Sequence, residues 1–268
     1  MRNLRDKVAV VTGAGSGIGR SLALRLAQEG CALALCDLDS EALYETRELL
    51  KEAGLNVFTS RIDVSDRVMM EQFTEQTISH FGKIHLLINN VGVALSASVE
   101  ETSIENFEWI MNINFWGVVY GTKFFLPFLK QQEEAHIVNM SSMFGLLAPP
   151  FQSAYSATKF AVRAFSESLR NELIGTSVHI SCVHPGFVKT SIAESGKFIS
   201  GLGVQSRNEF LNQFDKLTSV TPSKAADVIV AGIKKNKDRI LIGWEPKVYD
   251  LLQRIFPVKH KFVYKLYS

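Results

Sequence analysis

Seven short, almost uninterrupted apolar runs are spaced along the 268 residues, and they constrain the fold more than any single residue does. They are KVAVVT from residue 7, CALALC from 31, LNVFTS from 55, IHLLIN from 84, AHIVNM from 135, VHISCV from 178 and RILIG from 239. A strand with one wet face alternates apolar and polar residues, whereas continuous apolarity predicts strands covered on both faces. Between the runs lie longer segments with helical period, such as GRSLALRLAQEG and SEALYETRELLKEAG. The second is predicted to open with Ser40 as its N-cap and to stop at Gly54. Strand and helix alternate throughout, which implies right-handed crossovers and predicts an α/β fold, a doubly wound parallel sheet with helices on both faces. Ligands of such sheets bind at the carboxyl ends of the strands, near the switch point.

One region breaks the rhythm. Residues 187–220 carry Gly196, Gly201 and Gly203, several hydroxyls and scattered Phe198, Ile199, Leu202, Phe210 and Phe214, and no strand is predicted there. A long irregular stretch in a compact domain reads as a lid or binding loop. TPSKAAD then restarts a helix with Pro222 in its first turn.

The turn VVTGAGSGIGRSLAL joins the first strand to the first helix, with glycines at 13, 15, 17 and 19. Glycines let a backbone turn sharply and approach a pyrophosphate, which then sits on the free N–H groups and positive dipole end of the helix. Asp37 ends the second strand, where a carboxylate can accept hydrogen bonds from an adenosine ribose and would repel a 2′-phosphate. No Arg or Lys lies within the glycine turn or directly after Asp37, so NAD is expected rather than NADP. Farther on, SAYSATKFA sets Tyr155 and Lys159 four positions apart, a spacing that stacks two side chains on one helix face.

Taken together, these motifs resemble the short-chain dehydrogenase/reductase family in its single-domain form, over about residues 5–245. TGAGSGIG at 12–19 resembles the family's T-G-x-x-x-G-x-G turn, Asp63–Val64 the pair that contacts adenine, and NNVG at 89–92 its N-N-A-G. NFWG at 114–117 resembles the N-x-x-G whose asparagine is catalytic. Ser142 precedes Tyr155 at the family's spacing, and HPGFVKT at 184–190 resembles the segment that holds the nicotinamide carboxamide. The resemblance implies a seven-stranded Rossmann-type sheet, a catalytic set of Asn114, Ser142, Tyr155 and Lys159, and a dimer or tetramer. It also implies dinucleotide contacts at Gly13, Ser16, Gly17, Ile18, Gly19, Asp37, Asp63, Val64, Asn90, Gly92, Tyr155, Lys159, Pro185, Gly186, Val188 and Thr190. Val91 replaces the family's alanine, and its two extra methyl groups require a small neighbour.

A dehydrogenase must remove a proton from an alcohol as hydride leaves carbon, and a reductase must return both. Tyrosine titrates at about 10, and lowering that to about 7 takes roughly 4 kcal/mol. A lysine ammonium one helical turn away, with the charge of oxidised nicotinamide, can supply this in a sheltered site. The resemblance gives Ser142 the substrate oxygen, Lys159 the nicotinamide ribose, and Asn114 a water that relays protons from Lys159.

Composition narrows the remaining choices. Lys and Arg number 29 against 27 Asp and Glu, so a polyanionic partner such as nucleic acid is not expected. Cys31, Cys36 and Cys182 have no metal-ligand spacing and read as buried thiols of a reducing compartment, and no histidine has ligand spacing either. Neither a secretory signal nor a bilayer-crossing run is found, so one cytoplasmic domain spanning 1–268 is expected. The lid and MFGLLAPPFQ at 143–152 are apolar with few charges, which points to a hydrophobic secondary alcohol or ketone. Phe198, Phe210 and Phe214 read first as packing of the lid onto the body. The basic, aromatic tail at about 245–268 reads as subunit packing or a loose end ahead of contact with an anionic membrane. The alternatives are an NADP-dependent ketone or acyl-carrier reductase, and a non-catalytic dinucleotide-binding regulator.

Overall fold

The computed structural model describes residues 1–51, 54–201 and 206–258. All seven apolar runs form strands of one sheet: β1 Val8–Thr12, β2 Ala32–Asp37, β3 Val57–Arg61, β4 Leu86–Asn89, β5 Ala135–Met140, β6 Val178–Pro185 and β7 Arg239–Ile242. They are hydrogen-bonded in the order β3-β2-β1-β4-β5-β6-β7, and every neighbouring pair is parallel. The chain therefore winds outward from β1 to β3, then returns to β4 and winds the other way. This is the doubly wound Rossmann-type sheet, with its switch point between β1 and β4.

Ten helices are found among the described residues: α1 Gly17–Gln28, α2 Ser40–Leu50, α3 Arg67–Phe81, α4 Ile104–Met111, α5 Gly117–Leu129, α6 Ser153–Glu172, α7 Ile192–Ser195, α8 Arg207–Leu217, α9 Pro222–Lys234 and α10 Glu245–Ile255. The double-sided apolarity of the strands is explained by two cores. Ala9, Val11, Leu33 and Leu35 point into a cluster with Leu22 and Leu26 of α1 and Ile229 and Ile233 of α9. Their strand neighbours Val10, Ala34 and Cys36 point the other way, against Phe73 of α3, Phe125 of α5 and Leu169 of α6. Successive strand residues face opposite layers, so a sheet buried on both sides needs apolar residues at every position.

Three expectations are corrected. The N-cap of α2 is Asp39, not Ser40: its carboxylate accepts from the N–H groups of Glu41 (3.0 Å) and Ala42 (3.1 Å), and the helix ends at Leu50. The lid is not an irregular, strandless stretch, since it contains α7, α8 and a two-residue strand, Lys197–Phe198, paired in parallel with Leu95–Ser96. Leu202 and Gly203 lie outside its described residues. The expected tail begins as helix α10, whose Tyr249 is buried, while residues 259–268 lie outside the described residues. Helix α9 begins at Pro222 behind an N-cap Thr221, as its sequence indicates.

Candidate active site

A cleft of about 850 Å³ opens at the carboxyl ends of the strands. At one end lies the glycine turn. Gly13 and Gly17 have φ of 67° and 51°, in the left-handed region that favours glycine. Gly19 is demanded by contact instead, because a Cβ there would stand 1.8 Å from the Gly13 carbonyl oxygen. The Asn90 amide braces this turn, donating to the carbonyls of Thr12 (3.0 Å) and Gly13 (3.1 Å). No side chain caps α1 at Ser16, and Ser16, Gly17 and Ile18 line the cleft, so the helix turns unpaired N–H groups and its positive end toward it. Val91 finds its small neighbour in Gly13, where an added Cβ would lie 3.0 Å from Val91 Cγ2.

Asp37 is fixed against the turn. Its two carboxylate oxygens accept from Gly15 N–H (2.8 Å) and Asp39 N–H (3.0 Å), and the residue still lines the cleft. Asp63 accepts from the N–H (2.9 Å) and hydroxyl (2.7 Å) of Ser65, and beside it Val64 packs so closely on Gly117 that a Cβ there would approach to 2.8 Å. Sequence reasoning missed Arg61. Its Nε donates to the carbonyl of Leu38 at 3.0 Å, setting a cation next to the residue that follows Asp37. The parallel register that pairs Asp37 with Arg61 brings it there, and sequence separation conceals it. Arg20, just after the glycines, is committed elsewhere, to Gly15 O (2.8 Å), Ala42 O (3.1 Å) and Glu45 (2.8 Å).

The other end of the cleft holds Ser142, Tyr155 and Lys159, all buried. Tyr155 and Lys159 share one face of α6, with Nζ 5.6 Å from the ring centroid. Lys159 Nζ donates to Met140 O at 3.1 Å, and Phe144 meets the Tyr155 ring edge-on at 6.2 Å. Ser142 lies just beyond β5, hydrogen-bonds the Tyr155 side chain, and also caps the short turn Met143–Gly145 by accepting from Phe144 N–H at 3.2 Å. Burial pushes the Tyr155 phenol up, and the Ser142 hydrogen bond only partly opposes this. In the protein by itself desolvation thus outweighs the Ser142 hydrogen bond, whereas the expected lowering relies on Lys159 together with the charge of oxidised nicotinamide. Burial also brings Lys159 down to about 8.

Asn114 is fully buried behind the cleft wall. It sits in a π-helical turn, Asn112–Trp116, between α4 and α5, and the wider turn directs its amide inward. The amide accepts from Val93 N–H (2.8 Å) and donates to Val93 O (3.0 Å) and Thr158 Oγ1 (3.1 Å). A Cβ at Gly92 would lie 3.0 Å from Lys159 Nζ and 3.5 Å from Asn114 Oδ1, so this glycine keeps space open between the two. Of the expected site residues, only Gly19 and Asn114 do not line the cleft.

Pro185, Gly186, Val188 and Thr190 continue from β6 along the cleft and meet its glycine end, where a Cβ at Gly17 would touch Thr190 Cγ2 at 3.2 Å. The lid aromatics do two things. Phe198 stacks on Phe210 and Phe214 meets Phe187, while Phe210 and Phe214 also line the cleft. Met143, Leu147, Phe187 and Tyr249 complete an apolar wall around them. Among the described residues no group of three metal-binding side chains is found, and no helix is long and apolar enough to cross a membrane.

Comparison with known proteins agrees with this geometry. The family model for short chain dehydrogenases matches residues 7–197. The Mycobacterium tuberculosis protein SadH, described only as an oxidoreductase, is 42% identical over 257 residues, covering 95% of this chain and 92% of its own. The 11-beta-hydroxysteroid dehydrogenase 1A of Arabidopsis thaliana is 37% identical over 235 residues, 86% of this chain and 66% of that one. A Burkholderia phymatum short chain dehydrogenase/reductase solved with NAD superposes with a TM-score of 0.85 at 32% identity, covering 98% of this chain and 96% of that one. An alcohol dehydrogenase from Thermococcus sibiricus, solved with 5-hydroxy-NADP, superposes with a TM-score of 0.76 at 27% identity, covering 89% and 96%.

Proposed function

The chain belongs to the short-chain dehydrogenase/reductase family, and we propose that it is an NAD-dependent enzyme interconverting a hydrophobic secondary alcohol and its ketone. The observation that carries the reading is the buried trio of Ser142, Tyr155 and Lys159, set in the same cleft as an uncapped helix N-terminus and a fixed carboxylate.

The donor set fits a dinucleotide. The N–H groups around Gly13, Ser16, Gly17 and Ile18 hold the pyrophosphate, with Gly19 shaping the turn from behind. Asp37 takes the adenosine ribose, Asp63 and Val64 border the adenine, and Asn90 and Gly92 follow the chain of the cofactor. Lys159 and Tyr155 reach the nicotinamide ribose, and Pro185, Gly186, Val188 and Thr190 border the nicotinamide. When bound, NAD supplies the hydride acceptor, and its reduced form the donor. The chain's own part is to move the proton. Ser142 holds the substrate oxygen, and the Tyr155 hydroxyl exchanges a proton with it. Lys159 stabilises the phenolate left when Tyr155 donates, and Asn114 holds a water against Lys159 through which that proton is replaced from solvent, the same path running outward when an alcohol is oxidised.

The apolar wall of Met143, Leu147, Phe187, Phe210, Phe214 and Tyr249 supports a hydrophobic substrate. Asp37 supports NAD, and Arg61 is the residue that would favour NADP. The protein acts as one domain, in the cytoplasm, as a homodimer or homotetramer.

Tyr155→Phe tests the assignment. Titration of the variant with NADH should give a Kd within a few-fold of wild type, while turnover of hydrophobic ketones falls by about 10³-fold. Unchanged turnover refutes the role of Tyr155. The same titration with NADPH should be weaker, and tighter binding would reverse the reading of Asp37.

A further inference from the structure

Among the described residues, three that are not glycine have a backbone in the left-handed region: Asp6 at φ 61°, Asn236 at 48° and Phe151 at 62°. Aspartate and asparagine tolerate that region, whereas a bulky side chain is strained there. The conformation at Phe151 has a local cause. Pro150 leads into the turn, the Phe151 carbonyl accepts from Ala97 N–H at 2.9 Å, and Gln152 bridges Ala97 in parallel before α6 begins at Ser153. A chain held in this way needs a residue with positive φ, and glycine or asparagine would meet the need without strain. The backbone explains the conformation but not the phenylalanine. Packing does not explain it either. Phe151 is half-buried, joins none of the apolar clusters that fill the sheet layers and the lid, and pairs with no other ring among the described residues. It lines the cleft, as do Trp109, Phe144, Pro149 and Pro150, and it stands four positions before Tyr155. Ring and phenol border the cleft from the same end of α6.

We propose that Phe151 is a specificity-determining residue, a ring that the strained turn holds in the cleft as a fixed apolar surface for the body of the ketone whose carbonyl meets Tyr155. The proposal rests on the alcohol–ketone reading of the site and narrows it to ketones that carry an aryl or similarly broad apolar group. Backbone strain persists only where the surroundings over-determine it, and it collects at positions that clamp ligands. Here the surroundings are also firm. Ala97 extends the strand Leu95–Ser96, which pairs with the lid strand Lys197–Phe198, so one ribbon fixes both the turn and the lid. A ring whose position is set by such a turn loses little freedom when a ligand arrives, and its contact therefore adds to affinity with little ordering cost.

Phe151→Gly removes the ring and the strain together, so its melting temperature should equal that of wild type or exceed it by up to about 4 °C. With NADH and 2-acetonaphthone, KM should rise about tenfold or more while kcat stays within about threefold. The preference for 2-acetonaphthone over acetone, as a ratio of kcat/KM, should fall about tenfold. Phe151→Asn keeps the turn without the ring and should give the same result, whereas Phe151→Tyr keeps the ring and should retain the preference. Three results overturn the proposal: an unaltered preference in the glycine variant, melting temperatures lowered by more than about 5 °C in both ring-less variants, or a loss of kcat at unchanged KM. The second would make the ring a packing element, and the third would make the turn a support for Tyr155. Equilibrium dialysis of 2-acetonaphthone against the Tyr155→Phe chain with NADH, with and without Phe151→Gly, reads the contact without turnover. If wild type reduces no ketone, the alcohol–ketone reading fails, and dialysis still decides the role of the ring. Binding about tenfold weaker without the ring upholds it, and equal binding or none to either chain overturns it.

Discussion

His136 and His184 are buried side chains that each donate one hydrogen bond, His136 Nε2 to Ser181 Oγ (2.7 Å) and His184 Nδ1 to the carbonyl of Ser142 (2.9 Å). The second ring nitrogen of each has no partner, so both rings are held neutral. Burial pushes His136 down to about 3 and His184 down to about 4. Protons therefore bind the unfolded chain, where histidine titrates near 6.5, before they bind the folded one. The stability carried by these rings is complete above about pH 6.5 and is lost as pH falls toward 4, by about 2 kcal/mol each between pH 8 and 5. Urea unfolding at the two ends of that range should show the loss, and His136→Gln should flatten the slope; a wild-type stability that stays level would mean that the rings are hydrated. His184 also illustrates what one residue's neighbours can hide. Its hold on the backbone of Ser142 joins two paired strands that sequence order does not bring together.

At the scale of elements, the glycine turn was legible because its glycines and the strand and helix they join are close in sequence, although the residues that brace it, Asn90 and Asp37, are not. The turn, the strand before it and the helix after it lie within residues 8–28. Gly19→Ala should abolish measurable NADH binding and lower stability by about 1–3 kcal/mol, because the new methyl would press on the backbone carbonyl of Gly13, which cannot rotate away. A variant that titrates normally would show that the turn can relax. The lid was illegible for the opposite reason. Its strand Lys197–Phe198 is held by Leu95–Ser96 a hundred residues earlier, and Lys197 by the ring of Trp109 at 4.0 Å. Two residues carry no period, so such a ribbon cannot be read before its partner is in place. The π-helical turn at Asn114 is hidden in the same way, within what reads as one continuous helix.

Across the whole molecule, the face of α6 that begins with Tyr155 and Lys159 continues to Arg163 and Glu167, and from there to other elements. Arg163 pairs with Glu167 (3.0 Å) and reaches Gln253 of α10 (3.0 Å). Arg239 of β7 joins Glu167 (2.7 Å) to Asp250 of α10. Arg239→Gln leaves Asp250, 14% exposed, without its inner partner and should cost about 1–3 kcal/mol of unfolding free energy by denaturant titration. A change below about 0.5 kcal/mol would mean that the cluster behaves like an ordinary surface pair.

The short ribbon between Leu95–Ser96 and Lys197–Phe198 divides the covering segment into unequal halves. Before it, Thr190 packs against Gly17 at the glycine end of the cleft and Ala193 is buried, while α8 beyond it has no fully buried side chain and touches the cleft mainly through Phe210 and Phe214. The aromatic part of the cleft wall that α8 supplies and the buried Ser142, Tyr155 and Lys159 thus lie on separate pieces of chain. One helix with no buried side chain can therefore be reshaped at the cleft without displacing those three residues.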